Sequence, residues 1–294
     1  MNEVFLVTGA AGNLGVRVTR RLAREGAVVP TAHDYLPDGL NAGRLDITNV
    51  QEVERLIARV RPTVVVNLAA LADANVCEKN PEQARAVNSE GAGAVARAAA
   101  RAGAFLIHVS TDLVFDGKKG MYAEDGRAEP LGVYGASKLA GERAALGSGA
   151  RAAVIRVGIV FGAGSGKRPN FFESAAAKAR AGETVSVFTN EWRSFMYVED
   201  AAEAVAAVAR SRAAGLWHAA GPDRLSRFEF TLALFVALGL PLEALRPIAI
   251  GDLPGQAPRP ADCSLDSARL IRATGWRPRP LRETAPLFAA ELPR

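Results

Sequence analysis

Short runs of apolar residues alternate with longer segments of helical periodicity through the first half of the chain. The runs are rich in β-branched residues and predict buried strands at residues 4–7, 28–32, 63–68, 105–109 and 154–157. Helices are predicted between them, at residues 14–25, 50–59, 81–102 and 133–146. Such alternation is typical of βαβ units, so we expect an α/β fold with a doubly wound parallel sheet.

The pattern changes after Phe161. A glycine-rich loop at 162–166 is followed by predicted helices at 171–181, 199–210 and 227–238, predicted strands at 184–188 and 215–219, and a Pro/Gly-rich run at 254–260. We interpret this half as a smaller, discontinuous lobe over the carboxyl edge of the sheet, where open α/β sheets bind ligands. The expected division is a large domain at 1–161 and 196–221 and a substrate lobe at 162–195 and 222–294.

Composition narrows the class of protein. The 294 residues are 49% hydrophobic and 23% charged, so a full core can form and intrinsic disorder is excluded. The net charge of +5 is mild and its arginines recur at helical spacing, which argues against a nucleic-acid partner. Cys77 and Cys263 fit neither a zinc motif nor a disulfide framework, and no segment is long enough for a membrane span. The first residues form a predicted strand and not a signal peptide, so we expect a soluble cytoplasmic protein without a bound metal.

The first strand leads directly into Gly9-Ala10-Ala11-Gly12-Asn13-Leu14-Gly15, which opens the first helix. In a strand, glycine turn and helix of this kind, backbone N–H groups can approach a pyrophosphate, and the helix N-terminus favours the anion. The position therefore predicts a dinucleotide site. A tight turn without a ligand is the alternative.

Two acidic positions follow this turn. Asp34 ends the second strand, where a carboxylate would bind the adenosine ribose hydroxyls and repel a 2′-phosphate. It favours NAD over NADP, although Asp34 could instead cap a turn. Asp46 and Ile47 would lie beside the adenine, or the segment could simply cap the next helix through Thr48 or Asn49.

Tyr134 and Lys138 stand four residues apart on one face of a predicted helix. A phenol has a pKa of about 10, so proton exchange near neutral pH needs cationic neighbours, and Lys138 would supply one. Thr111 ends the fourth strand, where its hydroxyl could share a substrate oxygen with Tyr134. The alternative is an exposed amphipathic pair.

Further motifs occur in the same order along the chain: Asn67-Leu68-Ala69-Ala70, Asn88, Ser110-Thr111-Asp112 and the segment 193–200. Together with the glycine turn and the Tyr/Lys pair, they resemble the extended short-chain dehydrogenase/reductase superfamily over essentially the whole chain. Within it, the segments 110–117, 130–135 and 138–142, with Arg259-Pro260 and Leu265-Asp266, resemble the dTDP-4-dehydrorhamnose reductase branch.

This resemblance implies a Rossmann-type fold and an NAD(P)-dependent reduction of a nucleotide-linked 4-keto sugar. It implies a catalytic trio of Thr111, Tyr134 and Lys138, with Tyr134 giving a proton to the ketone and Lys138 also holding the nicotinamide ribose. For NAD or NADP it implies contacts with Gly9, Gly12, Asn13, Leu14, Gly15, Asp34, Asp46, Ile47, Ala69, Ala70, Asn88, Ser110, Tyr134 and Lys138. Thr111, Asp112, Arg193 and Arg259 would bind the substrate, the two arginines at its diphosphate, unless they are ordinary surface arginines.

Some segments depart from the branch. Residues 156–161 lack the Trp that many of its reductases carry, and residues 191–195 look more like the epimerases. A sugar-nucleotide epimerase is therefore an alternative, whereas Leu113, in place of a Glu, disfavours dehydration. The chain also resembles the regulatory β-subunit of methionine adenosyltransferase, so a non-catalytic subunit that binds NADP is a third hypothesis. The helices at 81–102 and 133–146 could form a homodimer interface, or their Ala-rich faces could pack internally.

Overall fold

The computed structural model describes residues 3–35, 39–164 and 169–292, so Ser165 and Gly166 of the predicted loop lie outside the described residues. The strands are β1 Val4–Thr8, β2 Ala27–Ala32, β3 Gly43–Arg44, β4 Val64–Asn67, β5 Phe105–Thr111, β6 Ala152–Val157, β7 Ile159–Phe161, β8 Val185–Phe188, β9 Trp192–Tyr197, β10 Gly215–Ala219, β11 Arg224–Ser226 and β12 Leu245–Ile248. The helices are α1 Asn13–Leu22, α2 Val50–Val60, α3 Ala74–Lys79, α4 Pro81–Arg85, α5 Ala92–Arg101, α6 Val133–Leu146, α7 Phe171–Arg180, α8 Val198–Ser211, α9 Arg227–Leu238, α10 Ala268–Thr274 and α11 Leu281–Glu291.

The main sheet has seven parallel strands in the order β10-β6-β5-β4-β1-β2-β3. Chain order reverses beside β1, which has β2 on one side and β4 on the other. The loops after β1 and β4 therefore diverge and leave a crevice at the carboxyl ends of the strands, where ligands of such sheets bind. The predicted α/β fold with a doubly wound parallel sheet is confirmed.

Alternate residues of the strands enter two different cores, as strand geometry requires. Phe5 and Val7 pack with α1, α8 and α10 on one face, whereas Leu6 packs with α2 and α5 on the other. Helix α6 lies on this second face, against α5 and β5. The sheet is thus covered on both sides, which explains why its central strands β1, β4 and β5 are continuous apolar runs.

The predicted helix at 81–102 is interrupted by a wider π-helical segment, Ala86–Gly91, between α4 and α5. The Ala-rich surface of α5 is buried within the chain, where Val95, Ala96 and Ala99 pack against residues of α2 and the sheet. Of the two interpretations of this surface, the structure shows internal packing for α5.

The remaining elements form a smaller unit with its own core. Strands β11, β9 and β7 make a three-stranded sheet, and β12 pairs with β8. Its core is aromatic: Phe161, Phe172, Phe195, Phe230 and Phe288 are buried together, and the Phe195 and Phe230 rings stack with their centroids 3.9 Å apart. Strand β7 pairs with β9 in this sheet, although its residues fall in the predicted large domain. The domain boundaries otherwise remain a prediction.

No helix among the described residues is long and apolar enough to cross a membrane. Both cysteines are buried and unpaired.

Candidate active site

A cleft of about 1120 Å³ runs along the carboxyl ends of the central strands. The residues predicted to contact the cofactor line it, with the exception of Asn88: Gly9, Gly12, Asn13, Leu14, Gly15, Asp34, Asp46, Ile47, Ala69, Ala70, Ser110, Tyr134 and Lys138. Thr111 and Asp112 line it too. Arg193 and Arg259 do not. The cleft also contains residues that sequence reasoning did not single out, among them Gln83 and Asn170.

The glycine turn forms one wall of this cleft. Gly9 has a φ of +68°, and a Cβ placed there would lie 2.6 Å from the Ala69 nitrogen. A Cβ on Gly15 would lie 2.2 Å from the Gly9 carbonyl oxygen, so α1 can start this close to β1 only with glycine. Gly12 is the N-cap of α1 and no side chain of the described residues caps it. The open N–H groups at this helix start, with the field of α1 behind them, fit a pyrophosphate.

The far end of the cleft carries three titratable side chains that are largely exposed. His33 lies between Asp34 and Asp46, with its Nδ1 3.9 Å from Asp34 Oδ1 and its Nε2 3.7 Å from Asp46 Oδ2. Asp46 Oδ1 also accepts hydrogen bonds from Thr48 N and Thr48 Oγ1, while Asn49 caps α2. Asp46 therefore shapes a turn and faces the cleft at the same time, so its two interpretations are compatible.

Asn88, which is predicted to contact the cofactor, does not itself line the cleft. It is fully buried in the π-helical segment. Its Oδ1 accepts from Leu71 N at 2.8 Å, and its Nδ2 donates to Leu71 O and to Ser137 Oγ, each at 3.0 Å. Asn88 thus ties the loop after β4, which does line the cleft, to α6.

Thr111 and Asp112 lie at the end of β5 and are both buried. The Thr111 hydroxyl donates to Asp112 Oδ1 at 3.1 Å and accepts from Leu113 N at 3.2 Å. Burial raises the pKa of Asp112, while the neighbouring Arg193 guanidinium opposes this effect. The end of β5 therefore presents a fixed hydroxyl with a carboxyl group directly behind it.

Tyr134 lies in the first turn of α6, on the side that lines the cleft. Burial first, and then the Asp112 carboxylate, raise the pKa of Tyr134 well above its ordinary value. This corrects the expectation that Lys138 would favour the phenolate in the protein alone. A tyrosine is already protonated near neutral pH, so the raised pKa makes Tyr134 a weaker acid in the protein alone, and its proton transfer needs a cation that favours the phenolate.

Lys138 lies one turn further along α6 and is only 3% exposed. Its Nζ donates to the Val109 carbonyl oxygen at 2.7 Å. Burial lowers the pKa of Lys138 to about 8, and the Glu142 carboxylate opposes this effect. The ammonium group is thus held against the strand end that also carries Thr111.

A buried ion pair lies behind these residues. Glu142 accepts from Arg156 Nε at 2.9 Å and from Arg156 Nη2 at 2.7 Å, and Ser110 Oγ donates to Glu142 at 2.6 Å. Sequence reasoning did not select this pair. The signal available was the spacing of Tyr134, Lys138 and Glu142, which repeats every four residues along one helix face.

Arg193, which is predicted to bind a diphosphate, does not line the cleft and lies between two carboxylates. It is 2% exposed, its Nη2 lies 3.0 Å from Glu191 Oε1, and its Nε lies 3.8 Å from Asp112 Oδ2. It is also not a surface arginine, which was the other interpretation. The side chain connects β9 of the smaller unit to the strand end that carries Thr111.

The Glu191 carboxylate forms ion pairs with three arginines. Arg227 Nε lies 2.5 Å from one of its carboxylate oxygens, and Arg193 and Arg259 lie at the other, with Arg259 Nη1 3.7 Å away. Burial alone would raise the pKa of Glu191, but the arginines outweigh it and lower the pKa to about 2. Arg259 is the outermost of the three at this position, with its side chain 24% exposed.

The chain is similar to a known protein family and to several named proteins. Residues 3–293 match the RmlD substrate binding domain family. The dTDP-4-dehydrorhamnose reductase of Mycobacterium tuberculosis is 39% identical over 273 residues, which cover 90% of this chain and 86% of the relative. The methionine adenosyltransferase 2 subunit beta of Xenopus tropicalis is 33% identical, covering 90% of this chain and 80% of that protein.

Among solved structures, the dTDP-4-dehydrorhamnose reductase of Bacillus anthracis in complex with NADP superposes with a TM-score of 0.89 at 26% identity. The match covers 99% of this chain and 100% of that one. Fold and site together define a member of the extended short-chain dehydrogenase/reductase superfamily. Within it, the chain belongs to the RmlD substrate binding domain family. The resemblance inferred from sequence is confirmed.

Proposed function

We propose that the protein is an NAD(P)H-dependent reductase of a nucleotide-linked 4-keto sugar. The observation that carries this proposal is the convergence of Thr111, Tyr134 and Lys138 at one end of a cleft whose wall is the glycine turn. The reductases of M. tuberculosis and B. anthracis support it by their named activity, and the latter by its bound NADP. The oxidoreductase class expected from the sequence is confirmed, and so is a cofactor of the NAD or NADP type.

The chain's own residues can serve such a reduction. The cofactor supplies a hydride when it is bound. Tyr134 holds a proton at its hydroxyl near neutral pH and lines the cleft, where it can give this proton to the substrate oxygen. The Thr111 hydroxyl can turn its single proton from Asp112 to the same oxygen. Lys138 is held at the Val109 carbonyl, one helical turn from Tyr134, where its ammonium group would hold the nicotinamide ribose.

The substrate contacts form a separate part of this proposal. Asp112 and Thr111 face the cleft. Arg259 is partly exposed at the arginine cluster, so it is the better candidate of the two arginines for the diphosphate. An Arg259→Gln variant should raise the KM for the sugar nucleotide about tenfold with little change in kcat. An unchanged KM would remove Arg259 from the substrate site.

Asp34 supports a preference for NADH. Its carboxylate faces the cleft beside Asp46, and two negative charges there would repel a 2′-phosphate. The measurement is the ratio of kcat/KM for NADH and NADPH.

The decisive experiment follows reduced-cofactor absorbance with purified protein and a panel of nucleotide-linked 4-keto sugars. A reductase consumes one reduced cofactor for each sugar reduced. An epimerase would convert a sugar nucleotide without net consumption. A regulatory subunit would turn over none of the panel and would co-purify with a synthetase. Either of the last two results would overturn the proposal.

A cytoplasmic location and a homodimer are also proposals. The two buried, unpaired cysteines favour a reducing compartment. For the dimer, α6 leaves Leu146 45% exposed, whereas α5 is already covered. Light scattering of the wild type and of Leu146→Asp would decide: a dimer through α6 should become a monomer in the variant.

A further inference from the structure

Three chemically active side chains follow one another along α6, at intervals of one helical turn. Tyr134 and Lys138 line the cleft, and Glu142 lies one turn deeper. Lys138 and Glu142 are 3% and 2% exposed. The proposed function uses the first two of these residues and leaves the third without a role.

Glu142 is fixed from two strands. Ser110 of β5 donates to its Oε1, and Arg156 of β6 binds both of its oxygens. Arg156 is itself 3% exposed, with its guanidinium carbon 5.0 Å from the centre of the Phe115 ring. A carboxylate held by three such bonds cannot turn away, so its charge has a fixed position relative to α6 and β5.

Lys138 is fixed on the same strand, one residue earlier. Its Nζ donates to Val109 O, while Ser110 beside it donates to Glu142. Neighbouring positions of β5 therefore hold the lysine and the glutamate of one helix face. Any movement of Glu142 would have to move α6 against β5, and with it the ammonium group.

The other titratable groups near Lys138 are His108 on β5 and Tyr134, one turn earlier on α6. Asp112 and Cys77 act on Tyr134, and Arg156 binds Glu142. Burial and Lys138 itself hold the pKa of His108 well below its ordinary value, so this histidine is neutral. Glu142 is thus the nearby group whose negative charge offsets the burial of Lys138.

We propose that Glu142, fixed by Arg156 and Ser110, is a positioning residue that keeps Lys138 charged and in place at the cleft. This deepens the proposed function and rests on it for its catalytic meaning. A buried ion pair is not needed for stability alone, because a well-packed apolar pair often stabilises a core as well or better.

The experiment measures the protonation of Lys138 directly. The chain has only six lysines, so protein labelled with ¹³C at lysine Cε can be titrated by NMR. The Lys138 signal is assigned by its loss in Lys138→Met. In the wild type we expect its titration midpoint near pH 8. Glu142→Gln should lower this midpoint by about one unit or more, and Arg156→Gln should raise it.

Either single change leaves a buried charge without its partner and could unfold the protein. The double variant Glu142→Gln/Arg156→Gln removes both charges and keeps the shapes, and its midpoint should still lie below that of the wild type. The matched control is Asp200→Asn/Arg279→Gln, another ion pair, on α8 across the sheet. It should lower stability without moving the Lys138 midpoint.

A Lys138 midpoint that is the same in the wild type and in the folded double variant would overturn the proposal. So would an equal shift in the control pair. The NMR readout needs no substrate, so it stands even if no nucleotide sugar is reduced. If turnover is found, the alkaline limb of the kcat profile should move to lower pH in the double variant, in step with the NMR midpoint.

Discussion

The two ends of the cleft are built in different ways. The end proposed to bind the dinucleotide pyrophosphate is built from the glycine turn, where Gly9 and Gly15 leave no room for a Cβ and let α1 lie close to β1. The end proposed to be catalytic rests on buried charges, with the Glu142–Arg156 pair behind Lys138 and the Asp112–Arg193–Glu191 cluster behind Thr111. Close packing therefore shapes the first end, and paired buried charges shape the second. Steric and electrostatic changes should therefore separate the two ends experimentally.

The largest effect is expected at the catalytic end, for Tyr134→Phe. Loss of the proton donor should reduce kcat by a factor of about 10² to 10⁴ while the cofactor still binds. Stopped-flow turnover and cofactor titration measure the two properties. Tyr122→Phe is the matched control, because its hydroxyl binds Asp116 away from the cleft. Full activity of Tyr134→Phe would remove the tyrosine from the mechanism.

The acid stability of the protein should reflect Glu191. Its pKa lies near 2 in the folded protein against 4.5 ordinarily, so its ion pairs contribute fully above pH 4.5. This contribution, on the order of 3 kcal/mol, is lost as the pH falls from 4.5 towards 2. Urea unfolding at pH 6, 4 and 3 measures it.

Glu191→Gln should lower the free energy of unfolding by about 3 kcal/mol at pH 6 and flatten its dependence on acid. The exposed Glu243→Gln serves as the control. If Glu191→Gln and the wild type lose stability in parallel below pH 4.5, the arginine cluster does not stabilise the carboxylate.

At the dinucleotide end, Gly15→Ala should weaken cofactor binding about tenfold or more. The added Cβ would meet the Gly9 carbonyl oxygen at 2.2 Å and force α1 away from the turn. Isothermal titration with NADH and NADPH measures this. Gly43→Ala, whose Cβ would have 4.0 Å of clearance, should bind as the wild type does. Equal affinity in both variants would place the pyrophosphate elsewhere.

The smallest effect is expected for Asp34→Asn. Removing one exposed carboxylate should favour NADPH by about 1 kcal/mol, or five- to tenfold in the ratio of kcat/KM values. Asp252→Asn, which does not line the cleft, is the control. If the ratio does not change, Asp34 has no part in cofactor choice.

The sequence predicts the parts of the site that depend on local patterns and not those that depend on contacts between distant segments. The glycine turn and the Tyr134/Lys138 pair are local patterns, so their placement along the cleft was predictable from spacing alone. The support for Lys138 was not, because Ser110, Glu142 and Arg156 come from three elements that meet only when β5 and β6 pair. For the same reason the ion pairs of Arg193 could not be predicted: its partners Asp112 and Glu191 come together only through β9 and the end of β5.

The strands, too, differ in how far the sequence predicts them. Most strands of the main sheet could be predicted because they are continuous apolar runs, but β3, with only Gly43 and Arg44, could not. The strands β7, β9 and β11 are short, and β9 and β11 are mixed in polarity, so the sequence does not predict a separate sheet. Their pairing depends on the aromatic core beneath them, which gathers Phe161, Phe195 and Phe288 from distant parts of the chain.

The π-helical segment Ala86–Gly91 lets one helix carry an extra residue without changing the direction of its faces. A π turn corresponds to one residue inserted into an α-helix, so deleting one residue there would restore α-geometry without shortening any loop. Because the wider turn absorbs the extra residue, α4 would keep its orientation relative to α5, with Ala84 buried and Gln83 at the cleft. A deletion within α5 has no such turn to absorb it and would rotate the preceding residues by about 100°. The segment is therefore a place where this helix should tolerate a change in length.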